Sequence, residues 1–370
     1  MRAGIIHARV PFTAEQIQPA SLDLRLGGRA YRIRASFLPG SEHSVEDKMR
    51  DLVMSELDLT RPTVLERHCL YLIRLEEALN LPRDISARAN PRSSTGRLDV
   101  FTRLVVDRSE EFEAVAPGYK GPLYVEVFPG TFGIAVQAGM RLNQIRFLKG
   151  RPSSHDRLHV ELHESENLVY EADQPGRATI RSGLRVSVSL EARDQSGLVG
   201  YRALPNAPVI DFGEVGGCDP RDFWEPVSAR SSLILNPGDF YLLGSKEKIR
   251  VPSYSAAEMV AFDPSIGEFR IHYAGFFDPG FGYGAGEILG TTAVLEVRAH
   301  EVPFMLEDGQ TIGRLIYSLL LEPSSRVYGL GIGSSYQEQG LALSKHFRRA
   351  DRSMHAFPDQ ISKESGAPAQ

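Results

Sequence analysis

Leu65-Glu66-Arg67-His68-Cys69-Leu70-Tyr71-Leu72 can be laid without a gap on Leu235-Asn236-Pro237-Gly238-Asp239-Phe240-Tyr241-Leu242, and the alignment runs on to Pro82 and Pro252. Further along, Val125-Glu126-Val127 falls on Leu295-Glu296-Val297, and Gly139-Met140-Arg141-Leu142 falls on Gly309-Gln310-Thr311-Ile312. Each glutamate precedes its glycine by the same interval, which is the mark of an internal repeat. Within the first copy the chain reads as short runs separated by proline and glycine: 69–74, 98–106, 123–128, 133–136 and 144–148. Such spacing predicts an antiparallel sandwich or barrel. Earlier, Gln18-Pro19-Ala20-Ser21-Leu22-Asp23-Leu24-Arg25-Leu26-Gly27 alternates with strand period from Ser21, with Gly27-Gly28 as its turn, and the charged stretch 42–59 reads as partly helical. The expectation is an all-β chain of two tandem domains with minor helices, copy one over 1–165, copy two over 166–347, and a polar tail over 348–370.

A chain of 370 residues suits two domains, and 42% hydrophobic with 24% charged residues is ordinary for a globular protein. The net charge of -5 argues against a dedicated nucleic-acid binder. No run approaches transmembrane length and the N-terminus lacks a signal-peptide core, so a cytoplasmic location without membrane contact is expected. Cys69 and Cys218 stand far apart with no CxxC pairing, which fits a reducing compartment and offers no thiolate zinc site. His155, His159 and His163 are spaced by four and would share a helix face, but no HExxH signature accompanies them; the polar stretch 150–167 reads as a solvated connector.

The chemistry concentrates in Pro91-Arg92-Ser93-Ser94-Thr95-Gly96-Arg97. Two guanidinium forks and several hydroxyls suit phosphate oxygens, and Gly96 allows a close backbone approach; a polar loop with helix-capping serines reads the same way. The two copies have diverged in a complementary manner. Copy two carries Asp263 and Glu268 in place of the arginines, whereas copy one reads Val115-Ala116-Pro117-Gly118-Tyr119 where copy two has Phe277-Asp278-Pro279-Gly280-Phe281. Neither copy is self-sufficient, so a composite site is expected.

These motifs, with Tyr336-Gln337-Glu338-Gln339-Gly340 near the C-terminus, together resemble the dCTP deaminase family of the dUTPase-like superfamily, in a duplicated form. The resemblance implies dUTPase-like distorted β-barrel or jelly-roll domains with sites between neighbouring domains. It assigns phosphate contacts to Arg92 and Ser94, and catalytic roles to Ser93, Arg97 and Glu296. It assigns base contacts to Asp278, and a segment closing over the nucleotide to Tyr328, Tyr336 and Gln339. Ser335 stands where many members carry a phosphate-binding lysine, for which Lys345 is a substitute. It further implies dCTP as substrate with Mg2+ on the triphosphate rather than on protein ligands, feedback by dTTP, and a homo-oligomer, a trimer ahead of a dimer.

Residue chemistry leads the same way. Deamination at cytosine C4 needs an activated water, a proton for the ring nitrogen and a proton for ammonia. Zinc deaminases use His/Cys ligands with PCxxC; that pattern is missing, and no zinc is expected. A metal-free route rests on one buried carboxylate with a raised pKa. Glu126 and Glu296 both lie between apolar residues in strands, and either could serve. The rival readings are a dUTP diphosphatase or a bifunctional deaminase making dUMP, and a binding protein in which duplication has eroded catalysis.

Overall fold

The computed structural model describes residues 4–171, 173–192, 197–229, 231–261, 269–271, 275–283, 288–299, 301–329 and 340–348. The first copy is built on Leu70–Asn80, an apolar strand flanked on both edges. Its sheet runs Val53–Asp58, Leu26–Ile33, Leu70–Asn80, Lys120–Pro129, Val100–Val106, all antiparallel, with Ile6–Ala8 added against the far end of the central strand. A second layer runs Leu22–Leu24, Asn143–Lys149, Ile85–Pro91, Ala114–Val115. Leu24, Ile73, Val125 and Ile145 are among the residues that fill the space between the layers, which is how two half-apolar sheets escape water.

The expected strands form; 69–74, 123–128 and 144–148 extend to Leu70–Asn80, Lys120–Pro129 and Asn143–Lys149 because ladder hydrogen bonds outlast the hydrophobic pattern, while 98–106 and 133–136 shorten to Val100–Val106 and Ile134–Val136. The stretch 42–59 is helical over Val45–Met49 and then becomes the strand Val53–Asp58. Gly27-Gly28 does not turn the chain. Both glycines lie inside Leu26–Ile33, where the register against Leu70–Asn80 shifts between Leu26 and Ala30. A Cβ on Gly27 would sit 2.5 Å from the Arg74 carbonyl oxygen, so glycine here serves a bulge and a close strand approach.

The repeat is visible in strand register. Leu72 lies opposite Glu126 as Leu242 lies opposite Glu296, and Arg88 opposite Arg146 as Glu258 opposite Ile316. The second copy is organised around Phe240–Ile249 in a sheet that has eleven strands among the described residues. The stretch expected to be a solvated connector instead contains the helix Asp156–Glu166. It buries Leu158 and Leu162 in the second core, although a boundary at 165/166 counts it with the first copy. Its histidines do structural work: His155 Nδ1 accepts the Leu158 N–H at 3.1 Å as the N-cap, and buried His159 accepts the Tyr317 N–H at Nε2, 2.9 Å away. Among the described residues no group of three or more His, Cys, Asp or Glu side chains is placed to hold a metal ion, and no helix is long and apolar enough to cross a membrane.

The two copies interlock. Ile210–Asp211 of copy two pairs in parallel with Ile134–Val136 of copy one. Phe212, Phe223, Trp224, Phe240 and Phe347 enter the first core, where Phe132 meets Phe223 and Trp224 edge-on at centroid distances of 5.5 and 5.3 Å. This shared core fixes the cleft between the copies.

Candidate active site

The basic heptad forms one helical turn, Ser93–Gly96, capped by Arg92 where strand Ile85–Pro91 ends. It is moored from behind: the Arg92 N–H and Thr95 Oγ1 both donate to the Leu142 carbonyl, at 3.0 and 2.9 Å. That mooring turns Ser93 outward into a cavity also lined by Arg92 and Arg97, while Ser94 and Thr95 are buried. Copy two supplies the opposite wall with Phe276, Asp278, Phe281, Thr292, Glu296 and Tyr328.

Glu296 projects from strand Thr291–Ala299 directly onto the turn. A Cβ on Gly96 would lie 2.5 Å from Glu296 Oε2, so this glycine is what admits the carboxylate. Burial pushes the Glu296 carboxyl up to about 8; the Arg97 guanidinium opposes the rise and Asp99 adds to it. Arg97 is itself held by Nη1 donating to the Ala342 carbonyl at 2.8 Å. Asp99 is bound across the interface to Arg298, and its Oδ2 accepts from Thr131 Oγ1 at 2.6 Å.

Glu126 holds the equivalent strand position and is equally buried, but its surroundings differ. Its Oε1 accepts from Arg103 Nε at 2.9 Å and pairs with Nη2 as well. The same guanidinium lies over Phe101 and Phe112, at 4.8 and 3.8 Å from their centroids. Glu126 does not line the cavity. Nor does Ser94, whose carbonyl accepts from Ser344 Oγ at 2.9 Å.

At the basic end, Arg92 pairs with Asp23 at 3.2 Å and reaches the Arg141 carbonyl at 3.4 Å. Asp23 is fully buried; burial pushes its carboxyl up to about 6, against the pull of Arg92, Arg141 and Lys345. Lys345 is therefore close enough to join this cluster, and burial together with Arg92 and Arg141 lowers its ammonium pKa. It arrives on the last segment of copy two, where Ser344 Oγ and His346 Nδ1 lie 2.9 Å apart and His346 Nε2 meets the Phe212 carbonyl at 3.2 Å. Ser335, Tyr336 and Gln339, like the copy-two counterparts Asp263 and Glu268 and the tail beyond Arg348, lie outside the described residues.

At the other end, Asp278 opens the turn Asp278-Pro279-Gly280. The turn is closed by the Phe281 N–H donating to the Asp278 carbonyl at 3.1 Å, and Tyr328 packs on it, its N–H donating to the Pro279 carbonyl at 2.7 Å and its ring 5.4 Å from that of Phe281. Gly280 has φ of 90°, and a Cβ there would fall 2.7 Å from Val327 Cβ. Burial raises the Asp278 pKa, opposed by Arg146 and by the Ala20 N–H. Arg146, Asp23 and Asp99 were not singled out from sequence. Asp23 sits inside the quoted motif 18–27, while Arg146 signals itself only as a charge where the repeat places Ile316.

Fold and site together define a duplicated β protein with a cleft between its copies, cationic at one end and carrying a buried, neutralisable carboxylate beside an arginine. The chain belongs to the 2′-deoxycytidine 5′-triphosphate deaminase family: residues 1–151 match that family's N-terminal domain and residues 155–347 its C-terminal domain. It is similar to the dCTP deaminase of Halorubrum lacusprofundi, 31% identical over 135 residues, a match spanning 36% of this chain and 64% of that protein. It is also 30% identical over 164 residues to the dUMP-forming dCTP deaminase of Nanoarchaeum equitans, covering 40% of this chain and 78% of the other. The crystal structure of 2′-deoxycytidine 5′-triphosphate deaminase from Agrobacterium tumefaciens superposes with a TM-score of 0.81 at 48% identity, over 87% of this chain and 95% of that one.

Proposed function

We propose that the chain hydrolyses dCTP to dUTP and ammonia. The observation that carries this reading is Glu296, a buried carboxyl poised near neutrality, pressed against the Ser93–Gly96 turn beside Arg97. Ionised Glu296 takes a proton from water as its oxygen bonds to C4, and passes that proton to the ring nitrogen N3. Glu296 then takes the remaining proton of the new C4 hydroxyl and gives it to the amino group as the C4–N4 bond breaks, leaving the C4 carbonyl and ammonia. Ser93 and Arg97 orient the water and offset the charge that develops. Arg92 and Lys345 face the triphosphate, which brings Mg2+ with it, and the Asp278 turn with Tyr328 receives the base and sugar. Ser94 acts on phosphate through its place in the turn, and Tyr336 and Gln339 close over the nucleotide. Glu126, held by Arg103, is assigned a structural role. A cytoplasmic homotrimer, restrained by dTTP at the same cleft, completes the reading.

A second reading has specific support, because several relatives are named as dUMP-forming. Incubation with dCTP and Mg2+, following ammonia, dUTP, dUMP and pyrophosphate together, separates the two. Ammonia with dUTP alone is the expected result. Pyrophosphate and dUMP in equal amounts would make the enzyme bifunctional, and dCTP bound without ammonia would leave a nucleotide-binding regulator.

A further inference from the structure

Arg146 is a side chain of copy one whose contacts lie largely on copy two. It stands on Asn143–Lys149, opposite Arg88, with only 11% of its side chain exposed. Nη2 lies 3.3 Å from Asp278 Oδ1 and Nη1 donates to the Ala257 carbonyl at 3.2 Å, both across the interface. Its guanidinium covers the Phe276 ring at 4.1 Å, and Nε donates to the Ala20 carbonyl at 3.2 Å. Ala20 in turn presents its own N–H to Asp278. One planar fork thus grips the carboxylate, an aromatic ring and a backbone carbonyl of the same copy-two hairpin region.

The repeat supplies an internal control. Asp278 follows Phe277, which pairs with Ala257; its counterpart Ala116 follows Val115, which pairs with Ala87. The counterpart of Arg146 is Ile316, which faces Glu258 as Arg146 faces Arg88. The symmetry-related pair would therefore be Ile316 with Ala116, which carries no charge on either side. Both members of the ion pair are present at this composite cleft, and both are missing at the symmetry-related positions Ile316 and Ala116. Two buried charges that serve packing alone could as well be apolar, as the other copy demonstrates.

We propose that Arg146 is a positioning residue that sets the register of the base-receiving hairpin of copy two against the phosphate-receiving turn of copy one. The proposal rests on the deaminase reading of this cleft. Because the triphosphate end is built from Arg92, Lys345 and the Ser93–Gly96 turn, loss of Arg146 separates the two halves of recognition.

The test is calorimetric titration of the full chain and its variants with dCTP and with inorganic tripolyphosphate, alongside ammonia release. Arg146→Gln is expected to raise Kd for dCTP about tenfold or more while Kd for tripolyphosphate stays within about twofold. Arg146→Lys, which keeps the charge but not the fork, should fall between them and decides the matter if the glutamine variant does not fold. The Arg146→Gln/Asp278→Asn double variant should bind dCTP no more weakly than the weaker single variant, since the two residues act as one unit. Equal losses for both ligands, no loss for either, or effects that multiply in the double variant would overturn the proposal. A wild-type chain that binds dCTP yet releases no ammonia would refute the reaction while leaving this comparison readable.

Discussion

Glu296→Gln exchanges an ionisable group for one of the same shape, which makes it the sharpest probe of the cleft. Ammonia release should vanish while dCTP binding persists. Its effect on stability has a definite sign. A carboxyl raised from 4.5 to about 8 by folding contributes stability that is full below its unfolded pKa and is lost as pH climbs through 8. The glutamine variant escapes that loss, so its advantage over wild type should grow between pH 5 and 8, reaching on the order of 3 kcal/mol. Thermal denaturation in a pH series measures it; a difference independent of pH would mean that Glu296 is already charged at pH 5. For the wild type, kcat/KM should rise with pH up to about 8 as the base ionises. Glu126→Gln should behave oppositely: ammonia release persists, and stability falls by about 1–3 kcal/mol because Arg103 loses a charged acceptor. In sequence the two glutamates are nearly indistinguishable, since Val125-Glu126-Val127 and Leu295-Glu296-Val297 present the same apolar flanks. What separates them is the partner on the neighbouring strand, and strand register is set by pairings far apart in the chain.

At the scale of elements, the Ser93–Gly96 turn and strand Thr291–Ala299 approach so closely that a single methyl group added at Gly96 would collide with the Glu296 carboxylate. Gly96→Ala should push Glu296 out of place, cutting kcat by about tenfold or more and costing about 1–3 kcal/mol of stability. Single-turnover rates with matched melting curves check this; an unchanged rate would show that Glu296 swings aside freely. Sequence patterning located most strands of copy one, because alternation and the punctuating prolines and glycines are local signals. It misjudged Gly27-Gly28, where a bulge and a hairpin turn ask for the same residue. It also misjudged the stretch holding Asp156–Glu166, where only two leucines face the core and the polar majority masks the helix. The heptad was found through its composition, but its division into an outward Ser93 and an inward Ser94 depends on the mooring to Leu142.

For the whole molecule, the complementary loss of Asp in one copy and of Arg in the other predicts a cleft shared between the copies, and the structure lines a cavity with residues of both. The interlocking of the cores left no such trace, since an aromatic residue reads as core without saying whose. Phe347 is the farthest example: 4% exposed, it packs on Phe223 and Trp224 within the core of copy one. Phe347→Ala should cost about 3 kcal/mol or more through the cavity left behind, and should weaken activity because Ala342 and Ser344 hold Arg97 and the Ser93–Gly96 turn from the same segment. Denaturant titration and ammonia release, read on the same sample, give both numbers.

The position of Phe347 also bears on how the chain is made. A ribosome delivers copy one first, and its strands can pair as soon as they emerge. The last aromatic of that first core is translated only after the whole of copy two. Until residues 342–347 are free of the exit tunnel, Arg97 lacks the Ala342 carbonyl, so an interrupted product keeps the Ser93–Gly96 turn moored to Leu142 but with its C-terminal brace missing, and its first core is open to proteases.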